Sequence, residues 1–134
     1  MNKSIIYIII FTAFLSRLIY VLTLDEKSMF FDTIHYDTAA MSIIHGHGFG
    51  PSLHYAGNGF DQYCLEPVYP IFLSGIYYFF GHHFWVVRIF QVFLGILQCV
   101  LLYYLARIIF SEKIALGVLL FSGIYPFYIF IAGL

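Results

Sequence analysis

Apolar residues run almost unbroken through three stretches of the chain, Ser4–Leu24, Phe84–Phe110 and Ile114–Leu134. Each is long enough for a bilayer-spanning helix, which needs about 20 largely apolar residues. A fourth run, Pro67–Gly81, is shorter. At 1.5 Å per residue it makes about 22 Å of helix, less than the roughly 30 Å of a hydrocarbon core. A juxtamembrane or re-entrant helix is therefore expected there rather than a span. Between the first and fourth runs the pattern turns polar, from Asp25 to Glu66. Inside that stretch Asp32–His45 reads as a short helix with Ile34, Ala39, Ala40, Met41, Ile43 and Ile44 as its apolar positions, and Gly46 is a natural C-terminal stop. Pro126, with Gly123 nearby, is expected to kink the last helix. The fold class expected is all-α, a polytopic transmembrane helical protein.

Composition agrees. The 134 residues are 62% hydrophobic and only 10% charged, with a net charge of −1, against roughly 25% charged residues in a typical soluble domain. A soluble chain this small could not keep so much apolar surface out of water, and the weak net charge gives no attraction for a polyanion. A soluble enzyme and a nucleic-acid binder are excluded, and the lipid bilayer is the first partner. Lys3 before a long apolar run suits a signal peptide, but no small-x-small cleavage site closes the run, so a retained anchor is expected.

The charges set a topology. Asp25–Glu66 holds six of the seven acidic residues and one of the six basic ones, Lys27. The positive-inside rule counts only Lys and Arg. It places Lys3 and the Ala106–Lys113 connection in the cytoplasm and the 25–66 loop outside. The chain then crosses three times, and Arg88 lies near the outer interface, where its side chain can snorkel. Tyr77, Tyr78 and Trp85 suit an interfacial aromatic belt. Cys64 falls outside and Cys99 mid-membrane, which argues against a mutual disulfide.

The loop carries the candidate chemistry. On a helix over 32–45, Asp32, His35, Tyr36 and Ala40 share one face, while Asp37 lies about 140° from Asp32, so the two acids do not converge. Asp32 is open to two readings: an N-cap, or an acid held at the membrane surface to act as a base or to bind a cation. His45-x-His47, with His54 further on, has the composition of a metal site but matches no tight zinc spacing and reads as solvent-facing turn histidines. His82-His83 reads as an interfacial connector. Pro67 suits the first turn of a helix, and Glu66 then meets the favourable end of its macrodipole. Glu66 is also a second acid on the same side as Asp32.

The order of these features resembles the N-terminal region of polytopic GT-C glycosyltransferases. It runs Asp32-x-x-x-Tyr36-x-x-x-Ala40, Gly46-x-Gly48-Phe49, Glu66-Pro67-x-Tyr69-Pro70-x-Phe72-Leu73, Gly81, Val87-Arg88, Gln91 and Leu105-Ala106-Arg107-x-x-Phe110. The nearest groups are the dolichyl-phosphate-mannose protein mannosyltransferase-like and aminoarabinose-transferase-like families. The resemblance implies transfer of a sugar from a polyprenyl-phosphate-linked donor to a lipid, glycan or protein acceptor on the outer face of the membrane. That face is the periplasm for a bacterial cytoplasmic membrane, or the lumen for an ER membrane. It implies Asp32 as the catalytic acid, activating the acceptor or organising a divalent cation near the carrier phosphate. His35, Tyr36, Glu66, Tyr69 and Arg88 are the implied substrate-binding residues. Where the chain has Glu66-Pro67-Val68, the family often has a basic residue followed by two prolines. Arg88 is then the cation available to the phosphate. Family members usually run to several hundred residues, so the chain is expected to be an N-terminal fragment or a truncated gene product, inactive alone. The reading from a different class is a small non-enzymatic membrane subunit or relic.

Overall fold

The computed structural model describes residues 3–25, 31–49 and 66–133, with only the backbone at 31 and 32. The described residues are helical, in the order α1 (Lys3–Thr23), α2 (Phe31–Ile44), α3 (Val68–Phe80), α4 (Phe84–Ile109), α5 (Glu112–Ile124) and α6 (Pro126–Ile131), with no strand among them. Two of them, α1 and α4, are long and apolar enough to cross a membrane. The chain divides into two units, Met1–Asp25 with Arg88–Leu134, and Glu26–Val87. The protein is an all-α membrane protein.

The first unit contains α1, most of α4, α5 and α6. On α1 the buried positions are Ala13, Arg17 and Val21, at helical spacing, while Ile5, Ile8, Phe11, Leu15, Ile19 and Leu22 face outwards. On α4 the buried stripe passes through Val92, Cys99, Tyr103 and Ala106, and Phe93, Leu97, Leu101 and Leu105 are exposed. An apolar exterior around an apolar core is costly in water and suits lipid. Cys99, Tyr103 and Ala106 of α4 pack with Ala115 and Leu119 of α5 and with Ile6, Ile9 and Ile10 of α1. Small residues let the helices approach closely: a Cβ at Gly123 would lie 3.1 Å from the Cβ of Ala13.

The 114–134 stretch is not one kinked helix. Tyr125 is extended, with φ −63° and ψ 120°, and separates α5 from α6. Two effects of Pro126 explain this. Its ring pushes the preceding residue out of the α region, and its missing N–H leaves the carbonyl of Ser122 without a helical donor. Arg17 supplies the donors. It is fully buried, its Nη2 donates to the Ser122 carbonyl at 3.0 Å, and its Nη1 donates to the Gly123 carbonyl at 2.8 Å and the Ala13 carbonyl at 3.0 Å. Nη2 also meets the Cys99 Sγ at 3.5 Å. The positive guanidinium thus sits at the negative end of α5. Gly95 leaves it room, since a Cβ there would fall 2.9 Å from the Arg17 Nε.

The second unit is built on α2 and α3. Gly46 ends α2 in the left-handed conformation, φ 78°, with its N–H on the Ile43 carbonyl and the His47 N–H on the Ser42 carbonyl. This is the Schellman pattern that satisfies the last carbonyls of a helix. Pro67 immediately precedes α3, and Gly81 closes it. The core joins Ala40 of α2 to Leu73, Ile76 and Tyr77 of α3 and to Val87, with Tyr36, Met41, Tyr69 and Phe72 packed around them. Tyr77 is therefore a core residue, 4% exposed, and not part of an aromatic belt, whereas Tyr78 beside it is 75% exposed. The difference follows from the helix: α2 covers the side of α3 that carries Leu73, Ile76 and Tyr77.

Candidate functional site

Two adjacent side chains of α2 reach opposite ends of α3. Tyr36 donates its hydroxyl to Glu66 Oε2 at 2.5 Å, just before α3 begins. Its ring meets that of Tyr69 edge-on at 5.0 Å. Three of the residues expected to bind substrate, Tyr36, Glu66 and Tyr69, are therefore neighbours. Glu66 is fully exposed, and the Tyr36 hydrogen bond, followed by its own backbone N–H, holds its pKa below the usual 4.5. Any stability from this contact is present above pH 4.5 and is lost as pH falls through the lowered folded value. Tyr36→Phe should let the Glu66 pKa rise towards 4.5, read by NMR titration of the side-chain carboxyl. An unchanged titration would mean that the phenol does not hold the carboxylate in solution.

Asp37 has partners that its distance from Asp32 on the helix gave no reason to expect. Its Oδ1 accepts the Tyr77 hydroxyl at 2.8 Å and lies 2.7 Å from His82 Nε2. The Tyr77 and His82 rings meet edge-on at 4.7 Å, and Phe84 packs on both. Burial first, and then the Asp37 carboxylate, push the Tyr77 phenol far above its ordinary pKa, so it stays protonated and donating. His82 is thus more than an interfacial connector: it ties the turn after α3 to α2. The partners lie 40 and 45 residues along the chain from Asp37, and no local sequence signal announces them. The visible hint was a His-His pair at the end of an apolar run.

The other expected site residues lie elsewhere or only partly within view. Asp32 falls in the first turn of α2, inside the helix rather than before it, one turn ahead of Tyr36; its side chain lies outside the described residues. His35 is half-buried. Arg88 belongs to the first unit, where it is 2% exposed and donates to the Asp25 carbonyl at 3.2 Å. His45 and His47 are exposed, and His45 Nδ1 lies 2.7 Å from the Met41 carbonyl. His54, Cys64 and the rest of the 50–65 segment lie outside the described residues. Among the described residues no three His, Cys, Asp or Glu side chains converge as a cation site requires.

The dolichyl-phosphate-mannose-protein mannosyltransferase family matches residues 66–132, half of the chain. The chain belongs to this family. Its members are glycosyltransferases of the GT-C type. The match takes in Glu66, Tyr69 and Arg88, and begins after α2, so Asp32, His35 and Tyr36 lie ahead of it. No curated protein and no solved structure matches the chain.

Proposed function

We propose that this chain is part of an enzyme that moves a sugar from a polyprenyl-phosphate-linked donor to a lipid, glycan or protein acceptor on the outer face of the membrane. The N-terminus is cytoplasmic in this reading, and the chain crosses more than once. The observation that carries it is the cluster of Tyr36, Glu66 and Tyr69 where α2 meets the start of α3. Hydroxyls, a carboxylate and aromatic faces are the groups that hold a sugar, and here they occur in a segment of a GT-C family member flanked by two membrane-length helices. Asp32, one turn before Tyr36, is the proposed general base for the acceptor. Glu66 and Tyr69, with Tyr36 and His35, form the proposed sugar-binding surface, and Arg88 the proposed phosphate contact.

The test uses the complete polypeptide in sealed vesicles. A polyprenyl-phosphate sugar and the corresponding nucleotide sugar are supplied separately, and transfer to endogenous acceptors is followed by radiolabel. Transfer from the lipid-linked donor alone is expected. Transfer from the nucleotide sugar alone, or from neither, overturns the proposal. Single cysteines at positions 47 and 113 of a chain with no other cysteine report the sides. An impermeant thiol reagent applied to intact cells should label 47 and not 113; the reverse pattern would invert the orientation.

A further inference from the structure

The end of the first unit where α1 begins, α4 finishes and α5 begins contains a cavity of about 590 Å³. Lys3, Arg107 and Glu112 line its polar part, and Ile6 and Ile10 its apolar part. Tyr103 also lines it. This residue is 4% exposed, and its hydroxyl has no hydrogen-bond partner among the described residues. None of Lys3, Arg107 and Glu112 forms an ion pair with another described residue. Two cations, one carboxylate and a buried donor thus share one cavity, with no ion pair to the charged groups and no hydrogen bond to the phenol among the described residues. A buried phenol without a partner is a costly feature for a fold to keep.

We propose that this cavity binds the phosphodiester of an anionic phospholipid from the surrounding leaflet. Lys3 and Arg107 would meet the phosphate, the Tyr103 hydroxyl would donate to one of its oxygens, and Glu112 would accept a hydroxyl of the head group. The cavity lining carries a net positive charge, which favours an anionic lipid over a zwitterionic one. The isoleucines continue from the charged rim into the apolar face of α1, where an acyl chain would lie. That continuity selects a lipid over a free phosphate ion. The site shares no residue with the Tyr36–Glu66–Tyr69 cluster and does not depend on the sugar donor proposed above.

The test is titration of the delipidated complete polypeptide, in nonionic detergent, with phosphatidylglycerol, with phosphatidylcholine of the same chains, and with inorganic phosphate, bound lipid being counted by native mass spectrometry. Phosphatidylglycerol should bind about tenfold more tightly than phosphatidylcholine, and inorganic phosphate should not displace it. Lys3→Gln and Arg107→Gln should each weaken it about fivefold, the usual effect of one basic residue near an anionic lipid. Tyr103→Phe should weaken it about tenfold, as for a lost hydrogen bond to a charged group, with helical content unchanged and the melting temperature of the delipidated protein no lower. If Arg107→Gln does not fold, Lys3→Gln and Tyr103→Phe decide. Equal binding of the two lipids, no binding of phosphatidylglycerol, displacement by phosphate, or undiminished binding by Tyr103→Phe would each overturn the proposal.

Discussion

Arg17→Met should be among the most destabilising single substitutions in this chain, costing about 2–6 kcal/mol. The estimate follows from what the guanidinium satisfies. The Ser122 and Gly123 carbonyls lie where Pro126 has interrupted the helix, and Arg17 donates to both. A buried acceptor left unpaired costs about 1–3 kcal/mol, and no water reaches a bilayer core to replace the lost donor. Arg17→Lys keeps the charge but not the planar fork that spans two carbonyls, so it should fall in between. The account rests on the pairing of Arg17 with the helix break, and a double-mutant cycle isolates that pairing. Pro126→Ala returns an N–H to the Ser122 carbonyl and permits a continuous helix. In that background Arg17→Met should cost less, with a coupling of about 1–3 kcal/mol read from thermal unfolding in detergent. Strict additivity would show that Arg17 does not serve the interrupted helix.

The parts of the fold that were legible in the sequence are those decided by local rules. The helix over 31–44 and its stop at Gly46 follow from apolar spacing and from the one residue type that enters the left-handed region cheaply. The shortness of α3 follows from Pro67 and Gly81 at its ends. Tyr36 beside Glu66 and Tyr69 was legible only as a shared side of the membrane; the hydrogen bond needed α2 to pack on α3. What stayed hidden depends on partners far along the chain. Asp37 looked idle because angles around one helix describe neighbours on that helix, and its own partners belong to α3 and the turn beyond. Arg17 is a single charge within the apolar 4–24 run. Its meaning comes from residues 105 and 106 positions away, although Pro126, which frees those carbonyls, was plain to see. A charge in one apolar run and a proline in another are together a legible signal: an intramembrane cation needs acceptors, and a proline in a helix leaves one open.

Asp32→Asn carries the chemical claim, and transfer by the complete enzyme should fall by about 10²-fold or more, the usual scale of a lost general base. Asn is nearly isosteric and still accepts a hydrogen bond, so it removes basicity with little change of shape. Asp32 lies in the first turn of α2, where a carboxylate also gains from the helix macrodipole. Losing that gain costs about 0.3–1 kcal/mol, too little to abolish folding. The two readings of this acid therefore separate cleanly: a helix-terminal role alone predicts a slightly lower melting temperature with near-normal transfer, and the catalytic role predicts a loss of transfer far beyond that small change in melting temperature. Asp37→Asn is an instructive contrast, because Asp37 holds Tyr77 and His82 in place and lies on another face of α2. Its amide oxygen can still accept the Tyr77 hydroxyl, so stability should drop by about 1 kcal/mol and transfer by less than tenfold. Thr38→Ala, on the exposed side of α2, should change neither. The measurement is the rate of transfer from lipid-linked donor at saturating concentration beside the melting temperature of each variant. Undiminished transfer by Asp32→Asn, or a loss that merely tracks its melting temperature, would remove Asp32 from the chemistry and leave it a helix-terminal charge.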